Sequence, residues 1–397
     1  MLKSDSFINH ILILILIVLS GSLLFVGFTI PVYILSIIFI LLCFVGKKKI
    51  SKKEFKIFCF SFGIILLILI FNFIFSSSTS FGNYFTVISL LSVSLLISMY
   101  FYSRKIDIVY YLYKVLKYTA IFSLIGFVLI QFSPAVKVDI GSDDYKVYRV
   151  FYLFFYGSSF NFSGFQLLRN QGIFWEPGVL SVYTNILLFL SLFKYKNRKN
   201  SILAGIVIIS TFSTSGIFIL LFQLIFYFGK TKLSVKNKLI LLPVIISLLI
   251  FVAYEFLEKK DLASEKSISS YGMRTFDLYS GAMVAINNPL LGIGINKEAY
   301  LLERNKYLPK EISLIVHQIE NRGNSNSILQ LFFSFGLPLG LAALYLFFKQ
   351  DLFSRNKRVF FIIIFISLCA EPLLFTPFFM LIISSGLRNR LQSYNKI

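Results

Sequence analysis

Three short stretches carry the residue types that bind anions and move protons. The first is Arg169-Asn170-Gln171-Gly172-Ile173-Phe174-Trp175-Glu176-Pro177-Gly178, which sets an arginine, the only tryptophan of the chain and a glutamate beside a proline. The second is Arg274-Thr275-Phe276-Asp277, followed by small and apolar residues to Ile286 and then by Asn287-Asn288-Pro289-Leu290-Leu291-Gly292-Ile293-Gly294-Ile295-Asn296. The third is Gly323-Asn324-Ser325-Asn326-Ser327. A guanidinium offers oxyanions a rigid fork of donors and stays charged. A carboxylate can take a proton when burial raises its pKa. Each stretch also has a structural reading. Pro177 suits the first turn of a helix, and Glu176 beside it is favoured by the helix dipole. Arg274 and Asp277 can pair along one helical face. Asn or Ser of the third stretch can cap the helix that follows. The density of the first cluster is what brings a functional reading level with the structural one.

The elements that must position these residues are membrane spans. The chain has 397 residues, 57% of them hydrophobic and 14% charged, a charge content well under that of soluble domains. Neither Ile11–Phe28 nor Ile57–Tyr102 contains a charge, and about 20 apolar residues suffice to cross the hydrocarbon core. Spans are expected near 10–28, 31–46, 55–75, 84–102, 118–133, 178–193, 201–212, 215–229, 239–257, 327–348, 359–371 and 374–386. The expected fold is an all-α polytopic bundle of about 12 spans, some short or re-entrant, in a single integral membrane domain over 1–397. Two outer segments are long, 133–176 and 258–325, the second forming a large loop between late spans. The first span reads as a retained helix rather than a cleaved leader.

Charge sets the orientation. The N-terminus and the short loops Lys47–Lys56, Arg104–Lys117, Lys194–Lys199, Lys230–Lys238, Lys349–Arg358 and Arg388–Lys396 hold 26 Lys/Arg against four acids, Asp5, Glu54, Asp107 and Asp351. The opposite set holds 13 Lys/Arg against 12 acids. The positive-inside rule puts the basic set and both termini in the cytoplasm. The net charge of +21 therefore reports orientation and implies no nucleic acid.

Two regions, Ser201–Phe228 and Phe360–Leu387, have bases at both flanks and polar breaks inside, at Ser213-Thr214-Ser215-Gly216 and at Glu371-Pro372. Such breaks persist at membrane depth where they are buried in protein or line a wet cavity, so Ser213 and Ser215 join the candidates. Lys105–Lys117 reads as an interfacial amphipathic helix. Nucleotide-dependent chemistry is not expected, for no Walker loop and no dinucleotide fingerprint is present. His10 and His317 are the only histidines, and no zinc-type cluster exists.

At these motifs the sequence resembles the O-antigen polymerase and ligase family, the Wzy/WaaL type. The family's Arg-x-x-Gly-x-Phe-x-Glu-Pro pattern is met by Arg169, Gly172, Phe174, Glu176 and Pro177. Its Ser-x-Ser-x-Gly-like break is similar to Ser213–Gly216, and its Arg…Asn-Pro-Leu-x-Gly-x-Gly stretch to Arg274 through Gly294. Its polar segment before a late span is similar to Asn324–Ser327. All four stand in the family's order over about residues 165–345.

The resemblance implies a bacterial glycosyltransferase of the cytoplasmic membrane, using a polyprenyl-diphosphate-linked glycan donor and acceptor at the outer face, with no metal or other cofactor. Arg169 and Arg274 would then hold the diphosphate and stabilise the leaving group, and Glu176 would act as base. Trp175, Asn324, Asn326, His317, Ser213 and Ser215 would contact substrate. Membrane lipid, a chain-length regulator and a flippase are the expected partners. Ligases of the family tend to carry a His two residues before the Asn that opens the late span. That position is Asn324 here, with His317 off the pattern, which favours the polymerase. The alternatives are an O-antigen ligase and a lipid-linked oligosaccharide flippase. Against the flippase stand the long outer segments and the lack of internal repeats.

Overall fold

The structure is a computed structural model and describes residues 2–23, 29–44, 50–76, 80–132, 136–138, 147–149, 155–162, 165–230, 270–307 and 323–394. The expected span 239–257, Glu255, His317 and parts of both outer segments lie outside the described residues.

The fold is mostly helical. The helices are α1 (Leu2–Val18), α2 (Thr29–Leu42), α3 (Lys52–Phe75), α4 (Phe81–Ser103), α5 (Ile108–Phe132), α6 (Pro177–Phe189, continued by a π turn over Leu190–Lys194), α7 (Arg198–Ser210), α8 (Thr214–Lys230), α9 (Ser270–Asn287), α10 (Lys297–Asn305), α11 (Ser327–Lys349), α12 (Lys357–Ala370) and α13 (Pro377–Tyr394). Among the described residues, five stretches are long and apolar enough to cross a membrane: Lys52–Phe75, Phe81–Ser103, Ile108–Ile130, Pro177–Lys194 and Ser327–Lys349.

The all-α expectation needs correcting. Segment 133–176, expected on the outer side, contains an antiparallel meander, β1 (Val136–Val138), β2 (Val147–Arg149), β3 (Tyr156–Phe162) and β4 (Phe165–Gly172). This stretch is dense in Tyr, Phe and Val, residues that suit a pleated surface, and Phe162 pairs with Phe165. A search for long apolar runs passes over such short strands.

Two further boundaries differ from expectation. The segment read as an interfacial helix is the first part of α5. Its apolar face is buried in protein, with Val109, Leu112, Tyr113, Val115 and Leu116 all inaccessible, Tyr113 stacked on Tyr195 with ring centroids 4.2 Å apart, and the Asn200 amide donating to the Tyr113 hydroxyl. Helix α1 ends at Val18 because the chain beyond it turns away to pair elsewhere. Leu23 N donates to Ile173 O at 3.1 Å and Trp175 N to Gly21 O at 2.9 Å.

The chain divides into two compact units. The first comprises Met1–Gly27, Val109–Glu255 and Arg355–Ser367. At its centre is α6, every residue of which is buried. Pro177 opens this helix, since a missing N–H costs nothing at that position. The meander rests on α5, where Phe155 and Ile130 are buried together.

The second unit comprises Phe28–Ile108, Phe256–Ser354 and Leu368–Ile397. Its organising feature is a break inside α11. Gly336 has φ 77° and ψ 168°, two residues before Pro338. The turn after α9 docks into this break by backbone hydrogen bonds. Ile293 N donates to Phe333 O at 2.7 Å, Gly294 N to Ser334 O at 3.1 Å, and Leu337 N to Pro289 O at 2.7 Å. A Cβ on Gly336 would stand 2.2 Å from Leu290 O, and one on Gly292 (φ 68°) 2.5 Å from Phe333 O. Only glycine allows both the left-handed backbone and the close approach. Asn72, a lone amide in the apolar α3, completes the junction. Its Nδ2 donates to Leu291 O at 2.9 Å and Ser334 O at 3.1 Å, and its Oδ1 accepts from Tyr84. The Tyr84 hydroxyl in turn accepts from Ile295 N at 3.2 Å. Carbonyls freed by a broken helix at membrane depth need such partners.

Candidate functional site

In the first unit, β4 carries Arg169 to the C-terminal end of α7. Arginine Nε donates to Thr211 O at 2.9 Å and an Nη to Phe212 O at 3.4 Å. Asn170 Nδ2 donates to Ser210 Oγ at 2.9 Å. The last carbonyls of a helix lack intrahelical donors, and a cation there also meets the negative end of the dipole. Phe212 has φ 46°, an uncommon conformation for an aromatic residue, and these donors hold it. A β-bulge aligns the group: Tyr156 pairs with Gly172 and Gly157 with Asn170, leaving Gln171 as the extra residue. Two motifs that stand apart in sequence, the Arg169 cluster and the polar break, are thus one structure.

The break itself is a serine junction. Ser213 Oγ lies 3.2 Å from Ser215 Oγ and accepts from Gly216 N at 3.3 Å and from Ser181 Oγ at 3.4 Å. Behind it, Asn185 Nδ2 donates to Gly216 O at 3.1 Å, and Gln223 Nε2 to Asn185 Oδ1 at 2.9 Å. Glu176 occupies the N-cap of α6 but makes no side-chain cap bond. It is partly exposed, as is Trp175. Glu176 is thus a carboxylate that the helix does not engage directly.

In the second unit, Arg274 sits in the first turns of α9 with its side chain 41% exposed. The expected pairing with Asp277 is not the arrangement observed. Asp277 is buried, and its Oδ2 accepts from Ser325 N at 3.1 Å and Ser325 Oγ at 2.7 Å. Arg274 instead faces Glu371, Nη to Oε1 3.7 Å, and that carboxylate is 2% exposed. Glu371 belongs to the Glu371-Pro372 break between α12 and α13. Ser327 stitches the break to the start of α11. Its Oγ donates to Glu371 O at 2.6 Å and accepts from Leu373 N at 2.7 Å and Leu374 N at 3.2 Å.

The Asn324–Ser327 segment is built the same way. Asn324 Nδ2 donates to Asp277 O at 2.8 Å and to the Tyr300 hydroxyl at 2.7 Å. Asn326 caps α11, its side chain accepting from Ile328 N and Leu329 N, both at 3.0 Å. This is the cap that the sequence leads one to expect. Burial pushes the Tyr300 phenol above its ordinary range, so it stays protonated at neutral pH. Arg304, fully buried, has its guanidinium 5.6 Å from the centre of the Phe276 ring.

The residues missed by sequence reading are Glu371 as the partner of Arg274, Tyr300, Arg304 and Asn72. Glu371 and Asn72 had a signal, as polar groups inside apolar stretches. Tyr300 and Arg304 had none in an ordinary amphipathic segment. Among the described residues no group of three or more His, Cys, Asp or Glu could hold a metal ion. Comparison with family models gives no match, and none of the curated proteins matches the chain.

Proposed function

We propose that this chain is a membrane glycosyltransferase that polymerises polyprenyl-diphosphate-linked oligosaccharide repeat units of O-antigen, capsule or exopolysaccharide. In this reading it crosses a bacterial cytoplasmic membrane about twelve times, with both termini in the cytoplasm and chemistry at the outer face. The observation that carries the reading is Arg274. Its side chain is half exposed, its i+3 acid is engaged elsewhere, and its counter-ion is a buried carboxylate. Such a fork suits the oxygens of a lipid diphosphate. The ordered set of motifs around it supports the same conclusion.

In the reaction, an acceptor sugar hydroxyl attacks the anomeric carbon of the donor glycan. The bond from that carbon to the diphosphate oxygen breaks, and its electron pair stays on the diphosphate. Arg274 stabilises the charge that develops there. The hydroxyl proton passes to a carboxylate, for which Glu176, free of a capping bond of its own, is the candidate. In this reading Arg169 shapes the serine junction, since two of its donors go to the Thr211 and Phe212 carbonyls.

Arg274→Lys keeps the charge opposite Glu371 but removes the fork. The expected outcome is loss of long glycan chains with the protein level kept, read on glycan gels of a complemented deletion strain. Normal chain length in this variant overturns the assignment. The deletion itself separates polymerase from ligase, because loss of a polymerase leaves single repeat units attached and loss of a ligase leaves none.

A further inference from the structure

The Glu371-Pro372 break does more than interrupt a hairpin. Pro372 holds Glu371 away from the helical region and contributes no N–H. Ser327 then fixes the break from both sides, donating to Glu371 O at 2.6 Å and accepting from Leu373 N at 2.7 Å. The carboxylate therefore projects from a pinned backbone and is 2% exposed. Burying an ionised carboxylate is costly unless a cation answers it. Arg274 is that cation, at 3.7 Å. The alternative acid on its own helix, Asp277, is occupied by Ser325 N and Oγ. One Nη of the guanidinium thus faces a fixed negative group, while 41% of the side chain remains exposed.

We propose that Glu371 is a positioning residue for Arg274, orienting the guanidinium so that its remaining donors are presented to the diphosphate leaving group; this rests on the polymerase reading. Arginine carries a large rotamer entropy, and a fork fixed in advance stabilises developing charge without reorganising. In this proposal Glu371 acts on the reaction through Arg274 and not by contact with the reacting atoms.

The test is a double-mutant cycle with the full-length protein in vesicles, supplied with lipid-diphosphate-linked repeat units. Glu371→Gln keeps the shape and the backbone contact with Ser327 but removes the charge. It is expected to lower kcat about tenfold while donor KM moves less than about threefold, as for an interaction realised in the transition state. In an Arg274→Lys background the same substitution should lower kcat by less than about twofold, because coupled residues are not additive. An equal loss in both backgrounds marks Glu371 as a structural residue only and overturns the proposal. Should Glu371→Gln fail to accumulate folded, Glu371→Asp answers the same question. Its loss of kcat, about threefold by the same reasoning, should vanish beside Arg274→Lys, and persistence there overturns the proposal equally. Wild-type protein that elongates nothing overturns the polymerase reading and this inference together. Elongating wild type with additive variants overturns the inference alone.

Discussion

The two arginines that look alike in sequence have opposite surroundings. Arg169 ends against carbonyl oxygens of its own unit, where its donors satisfy a broken helix. Arg274 ends against a buried carboxylate and stays half exposed. A guanidinium serves either purpose, since backbone carbonyls, carboxylates and phosphates all accept its N–H groups. What separates an arginine that builds from one that is offered to a ligand is the partner that the fold places opposite it. The two breaks differ in the same manner. The α7–α8 break is held by side chains, whereas the α11 break is held mainly by another stretch of backbone, with the Asn72 amide beside it.

The sharpest way to break this contrast is Gly336→Ala. A Cβ there would stand 2.2 Å from Leu290 O on a backbone with φ 77°. Strain and overlap together should cost on the order of 3 kcal/mol or more. Thermal unfolding of the purified protein reads the loss, and an unchanged melting temperature would remove the backbone docking from the account. Next comes Arg169→Ala, which strips two carbonyls of a charged donor and should cost about 2 kcal/mol. Protein level and melting temperature should both fall. If instead Arg169→Ala melts like wild type and only activity disappears, Arg169 belongs with Arg274 and the contrast fails.

Tyr84→Phe removes the hydroxyl that links Asn72 to Ile295 N and should cost about 1 kcal/mol, measured by the same melt. The smallest stability effect expected is that of Glu176→Gln. Glu176 makes no cap bond, so the melt should shift by less than about 0.5 kcal/mol, as for other lightly engaged positions. Glycan transfer should nonetheless collapse if Glu176 takes the acceptor proton. Full activity in that variant would assign the base elsewhere.

The legible part of the candidate site was which residues stand out. Arg169, Glu176, Ser213, Arg274, Asn324 and Asn326 stand out by type within apolar surroundings, and the cap at Asn326 follows from local chemistry alone. Their partners were not legible. Asp277 is three residues from Arg274, and helical spacing points to a pair between them. Ser325 captures the acid instead, because a backbone N–H and a hydroxyl at 3.1 and 2.7 Å satisfy it in a buried position.

By itself the sequence determined that the chain is mostly helical and apolar enough to cross a membrane, because hydrophobic runs and caps are local properties. It marked where helices break, since Pro372 and the Ser213–Gly216 run act on their own neighbours. Only the tertiary structure decided what fills each break. Thr211 O, the Asn72 amide and the Glu371 carboxylate all need partners, and any of several donors or acceptors in the sequence could serve. Packing selects among them: it brings a donor within hydrogen-bond reach of Thr211 O, acceptors within the same reach of the Asn72 amide, and a guanidinium to 3.7 Å from the Glu371 carboxylate as an ion pair.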